Sequence, residues 1–184
     1  MFKSILSFGR QSNRQVTDAL YEAIVAAARQ PHFYSAWDVP DTPLGRYEML
    51  SLHMFLFLER ARGRQGPLAE LAQELTDEFF KDMDHSLREL GIGDLGVPKR
   101  MKKLAKMFYG RAEAYRAALT AGDPAALSAA LSRNVQPRQP GWPHAAALAA
   151  YAAQASAALA AQADEALLAG RIAFPAAEDT QVTP

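Results

Sequence analysis

Cysteine is absent from this 184-residue chain, which excludes a disulfide framework, a thiolate metal site and a cysteine nucleophile. An excess of charge is absent too. Twenty Lys and Arg stand against twenty Asp and Glu, so the chain as a whole exerts no net attraction on nucleic acid or anionic lipid. Long hydrophobic runs are missing. The longest apolar stretch, Met49 to Leu58, is broken by Ser51 and His53 and bounded by Glu48 and Glu59, far short of the roughly 20 apolar residues of a membrane span, and it reads as a buried core helix. The opening residues MFKSILSFGR have too short an apolar run for a secretory signal and no small-residue cleavage site. From Met1 to Thr17 there is no acid, only Lys3, Arg10 and Arg14 among several serines, a composition that also suits a transit peptide.

What is present is helical. Hydrophobic residues at 49% and charged residues at 22% describe a foldable soluble domain, long enough for one core and short for two. Helical periodicity recurs and strand signals are nearly lacking. A first helix is predicted over Asn13–Gln30 and is stopped by Pro31. The aromatic segment His32–Trp37 follows, then Asp41-Thr42-Pro43 as a cap and a first-turn proline opening a helix to about Arg62. Pro67 opens the next, which ends at Leu90-Gly91. Pro98 opens another, reaching Thr120 or Ala121, and Asp123-Pro124 caps a shorter one through Arg133. After the proline-rich loop Gln136–Pro143, an alanine-dominated helix is expected to reach Leu168, with Gly170 ending it. The expected architecture is all-α: a single compact multi-helix domain over residues 13–175, with a flexible N-terminal segment over 1–12 and an extended tail disordered over 176–184.

Charge is segregated along this balanced chain. Ala61–Pro98 holds eight acids against four bases, a net −4; Lys99–Arg116 holds seven bases against one acid, a net +6. In the basic helix Met101, Leu104, Ala105, Phe108, Ala112 and Tyr115 share one face, and Lys99, Lys102, Lys103 and Lys106 lie opposite with Arg100 beside them. That face is either solvated, paired to the acidic helix, or a docking surface for an anionic partner: RNA, lipid headgroups or an acidic protein. No fingerprint of a sequence-specific nucleic-acid module is present. In the acidic helix Leu68, Leu71, Leu75, Phe79, Met83 and Leu90 define a buried arc into which Asp82 projects. A buried carboxylate requires a partner, so Asp82 is expected to pair with Arg111 or Arg46.

Signals for chemistry are weak. Arg46, His53 and Arg60 recur at seven-residue spacing on the central helix, where His53 reads as a satisfied core histidine, since nothing supplies a second metal or haem ligand. Asp82-x-x-His85 is half of a di-iron carboxylate pattern that needs two copies. Gly91-Ile92-Gly93-Asp94-Leu95-Gly96 has the spacing of a dinucleotide loop without the strand that must precede it. No cofactor or metal is expected.

The stretch Leu87–Lys99 (LRELGIGDLGVPK), continuing through Lys102-Lys103 to Phe108-Tyr109-Gly110-Arg111, resembles the ubiquinol–cytochrome c chaperone family, as do Val39-Pro40-Asp41-Thr42, Gly45-Arg46 and the helix of Leu52-His53. The resemblance spans roughly residues 15 to 175. It implies a non-enzymatic helical assembly factor that assists newly made cytochrome b, or another assembly component, into the cytochrome bc1 complex. Mitochondrial relatives act near the ribosome on the inner membrane. The chain lacks their long N-terminal extension and looks like the short bacterial form, cytoplasmic and peripheral to the inner membrane (the mitochondrial matrix in a eukaryote). Pro98 is a mild departure from the pattern, and the family supplies no catalytic residues. Such a factor needs a partner surface, for which the candidates are Lys99, Arg100, Lys102, Lys103 and Lys106 and the aromatics Phe33, Tyr34 and Trp37, with Asp82, Arg111, Arg46 and His53 as structural residues. The rival readings are a ribosome- or RNA-associated module using the lysine face, and a helical enzyme centred on Asp82, His53 and Arg46.

Overall fold

A computed structural model describes residues 2–180, with side chains from residue 13 onward. The chain forms α1 (Phe2–Ala28), α2 (Pro31–Ser35), α3 (Pro43–Ala61), α4 (Pro67–Glu89), α5 (Val97–Ala121), α6 (Pro124–Val135), α7 (Ala145–Ala160) and α8 (Asp164–Leu168), then a 3-10 turn at Ala177–Asp179. Among the described residues there is no strand. Proline stands in the first turn of α2, α3, α4, α5 and α6, where its fixed φ suits helix entry and its missing N–H costs nothing. Thr42 caps α3 by accepting from the Gly45 N–H at 3.2 Å, and Asp123 caps α6 by accepting from the Ala126 N–H at 2.9 Å.

The organising element is α3. It packs against α1, α4, α5, α6 and α7, and every residue from Tyr47 through Phe57 is buried. A helix apolar on all sides can be stable in water only where other helices surround it, and the Met49–Leu58 run meets that condition. Gly45 lets the start of α3 sit against the preceding turn. A Cβ there would fall inside the van der Waals shell of the Pro40 carbonyl oxygen.

Three expectations are corrected. The first helix begins at Phe2 rather than Asn13, because nothing in residues 2–12 stops a helix; the side chains of 1–12, and the flexibility expected of them, lie outside the described residues. The alanine-rich helix does not run through to Leu168. It ends at Ala160 and restarts at Asp164. The cause is Arg60, whose side chain is only 5% exposed: Nε donates to the Leu159 carbonyl at 2.9 Å and Nη2 to the Gln162 carbonyl at 2.7 Å, while Asp164 closes the ion pair. Carbonyls taken by a guanidinium suit a helix end. The tail is ordered further than expected. Ala177 is buried and its N–H donates to Gln30 Oε1 at 2.7 Å, and Gln162 exchanges two hydrogen bonds with the Ala173 backbone. The disorder expected over 181–184 lies outside the described residues.

Two glycines give opposite expectations. Gly45→Ala should cost about 1–3 kcal/mol, since backbone must move to admit the methyl. Gly110→Ala, exposed inside α5 with open space at its Cβ position, should gain about 0.5–1 kcal/mol by removing unfolded-state entropy. Calorimetric melting of the two variants beside the parent chain measures both.

Candidate functional site

Several polar groups in the buried middle of α3 draw a partner from another helix. The Glu48 carboxylate, 1% exposed, accepts from Arg111 Nη2 of α5 at 2.6 Å. Burial pushes this carboxyl up to about 7, with Arg111 pulling it partly back. Tyr47 Oη donates to the Leu104 carbonyl at 2.9 Å, a second tie to α5. His53 is fully buried. Its Nδ1 lies 2.8 Å from the Met49 carbonyl, which can only accept, so Nδ1 carries the proton and Nε2 accepts from Tyr151 Oη of α7 at 2.8 Å. Burial holds this imidazole down to about 4, so it is neutral at physiological pH.

Asp82 is not the buried, base-paired acid that its helical angle suggests. It is half-buried, accepts from Tyr21 Oη of α1 at 2.8 Å, and has no base within ion-pair distance among the described residues. Arg111 belongs to Glu48, and Arg46 is an exposed residue bonded to Asp41 at 2.5 Å. The reason is that Asp82 lines open clefts between α1 and α4, while Met83 beside it is still core. Only the last turn of α4 leaves the core, and Leu90, expected in the buried arc, is 60% exposed. The aromatic segment is also corrected as a partner surface. Phe33 and Trp37 belong to the core, packed on Tyr151 with ring centroids 4.9 and 6.3 Å away, and Tyr34 is partly buried and donates to the Ala28 carbonyl.

Two features remain on the outside. The first is an apolar groove of about 260 Å3 between α1, α3 and α4, floored by Val25, Ala28, Leu50, Met83 and Leu104, with half-exposed Leu44 and Leu90 on its lips. Arg29, Arg46 and Asp82 punctuate its rim. His53 is not part of it, so the three candidate catalytic residues do not converge. Among the described residues no three His, Asp or Glu side chains come together as a metal site. The groove was missed in the sequence because Leu44 and Leu90 sit at helix ends, where periodicity no longer tells inside from outside. The second feature is the basic face of α5. Lys99, Arg100, Lys102, Lys103 and Lys106 are all exposed, and none makes an ion pair among the described residues. Several acids of α4 are taken elsewhere: Glu74 by Asn13 and Thr17, Glu78 by Lys81, Asp84 by Arg88.

The two buried titrating groups act in opposite directions on stability. Glu48, raised from 4.5 to about 7, favours the folded chain most below pH 4.5, and that contribution is lost as pH rises through 7. His53, lowered from 6.5 to about 4, contributes stability above pH 6.5 that is lost as pH falls toward 4. Glu48→Gln should therefore steepen the loss of melting temperature on acidification from pH 6.5 to 4, and His53→Gln should flatten it. Arg111→Met, which leaves Glu48 buried without a base, should cost about 3 kcal/mol at pH 8 and clearly less at pH 5, by calorimetry at the two pH values.

No curated protein matches the chain. The family model described as ubiquinol-cytochrome C chaperone matches residues 35–174. Among solved structures the chain is similar to the crystal structure of the Cbp3 homolog from Brucella abortus, with 56% identity and a TM-score of 0.91 over 98% of this chain and 100% of that one. A family model covering most of the chain, together with this identity over nearly its whole length, places it: the chain belongs to the ubiquinol-cytochrome C chaperone family.

Proposed function

We propose that this chaperone assists assembly of the cytochrome bc1 complex by holding an apolar segment of newly made cytochrome b, and that the groove between α1, α3 and α4 is where it does so. The observation that carries the reading is the groove itself. Leu44 and Leu90, two of the few large hydrophobic side chains exposed among the described residues, stand half exposed on either side of an apolar floor. Open apolar surface of this kind marks a binding site. A polytopic membrane protein emerging in water exposes the complementary chemistry. The action is binding without catalysis, which fits a site whose charged residues, Arg29, Arg46 and Asp82, sit on the rim rather than converging on one point.

A photo-crosslinking side chain at position 44 or 90, introduced in cells making the bc1 complex, should capture cytochrome b, identified by mass spectrometry. The same probe at exposed Gln154 on α7 should not. Leu44→Asp combined with Leu90→Ser should leave stability within about 1 kcal/mol, both positions being half exposed, while lowering the amount of assembled bc1 complex. Wild-type levels of the complex in that variant, with no cytochrome b captured from either lip, would remove the groove from the function.

A further inference from the structure

We infer that the loop Gly91–Gly96 and the first half of α5 form a docking face for an anionic phospholipid bilayer. Leu95 is 99% exposed, a full leucine side chain in water at the tip of this loop. It is held there by a pinned backbone. Arg88 bonds both Asp84 and Asp94, the Gly96 N–H donates to the Gly93 carbonyl at 2.7 Å, and the Ile92 N–H to the Leu87 carbonyl at 3.2 Å. Arg100 lays its guanidinium over Gly96, where a Cβ would meet Nη1 at 3.0 Å, so a cation is seated against the same loop.

Behind Leu95 the charge is of one sign. Lys99, Arg100, Lys102, Lys103 and Lys106 are exposed and unpaired among the described residues, and from Leu95 to Ala112 there is no acid. Four of these cations crowd the first two turns of α5, the end where the helix dipole already disfavours positive charge, and no acid stands in that first turn to compensate. The helix gives up stability for this placement and gains no ion pair from it among the described residues. Lys99, Lys102, Lys106 and Tyr109 follow at spacings of three and four, one exposed stripe about 15 Å long. Tyr109 is 56% exposed and rests on Phe80 and Phe108, and tyrosine is a residue type enriched at membrane–water interfaces.

RNA or an acidic protein would use these cations, yet neither explains Leu95. A lone leucine with no cavity around it offers a protein partner little to pack against, whereas a bilayer accepts a protruding apolar side chain without a complementary pocket. Each lysine near an anionic membrane adds to the attraction, and the effect fades within a Debye length.

Vesicle flotation tests this with the full chain. Vesicles of phosphatidylcholine with roughly 30% phosphatidylglycerol should bind it, pure phosphatidylcholine vesicles should not, and binding should fall as salt rises from about 50 to about 300 mM. Lys99→Glu with Lys103→Glu should weaken binding about tenfold or more, and Leu95→Ser about fivefold, with both variants melting as the parent does. Because the chain has no cysteine, Leu95→Cys carries a unique environment-sensitive fluorophore, which should shift to the blue on anionic vesicles and be quenched by spin-labelled lipid. Equal binding to both vesicle types, no binding, or indifference to Leu95→Ser would overturn the inference. Tighter binding to a short single-stranded RNA than to the anionic vesicles, unaffected by Leu95→Ser, would overturn it as well and reassign the face to nucleic acid. The groove variants Leu44→Asp and Leu90→Ser are read separately, by bc1 assembly, so failure of one surface leaves the other standing.

Discussion

Burying α3 on every side means that each polar atom it carries must be met by a side chain or carbonyl from a neighbour, because no water is there to do it. Glu48 fixes Arg111 and, with Tyr47, the rotation of α5 about its own axis. His53 fixes Tyr151 on α7, and Gln30 reaches the same hydroxyl from the end of α1 while gripping the tail through Pro175 and Ala177. Arg60 ends α7 and starts α8. These ties reach nearly every element of the fold from one helix. Glu48 Oε2, Ser51 Oγ and Arg111 Nε nevertheless have no hydrogen-bond partner among the described residues, and burial outweighs Arg111 in setting the Glu48 carboxyl.

The outer surfaces follow from the same arrangement. With Val97, Phe108, Ala112 and Tyr115 committed to the inside, α5 has to turn its lysines outward. Likewise α4 covers the core as far as Met83, and its last turn, ending at exposed Leu90, stands beside α1 and the entrance of α3, which opens the groove. Both exposed features are thus consequences of helix lengths and of which face the core claims, and the rigid interior holds them in place.

The class of fold was legible because proline at the first turn, capping residues and the apolar run of α3 all speak locally, and the family was legible from the Gly-Asp loop, the lysine-rich helix and Phe108-Tyr109-Gly110-Arg111. Burial at the ends of elements was not. Asp82 has the angular position of a core residue, but angle does not reveal that a cleft between α1 and α4 opens beside it while neighbouring Met83 is buried. Glu48 was read as the polar boundary of an apolar stretch when it lies a turn inside the buried part of α3. Phe33 sits in a helix of five residues and Trp37 just beyond its cap, a segment too short for any periodicity to show which way they face. Leu95 lay inside a glycine pattern that drew attention to its glycines. In each case the missing information was tertiary: which other element lies above that residue.

The most direct measurement is the fate of newly made cytochrome b in cells with and without this protein, followed by pulse-chase labelling. A chaperone that shields an apolar segment until assembly should prolong the life of unassembled cytochrome b. Its loss should shorten that life and deplete the bc1 complex while leaving other membrane complexes at their normal amounts. An unchanged lifetime of cytochrome b together with a normal content of bc1 complex would contradict that role.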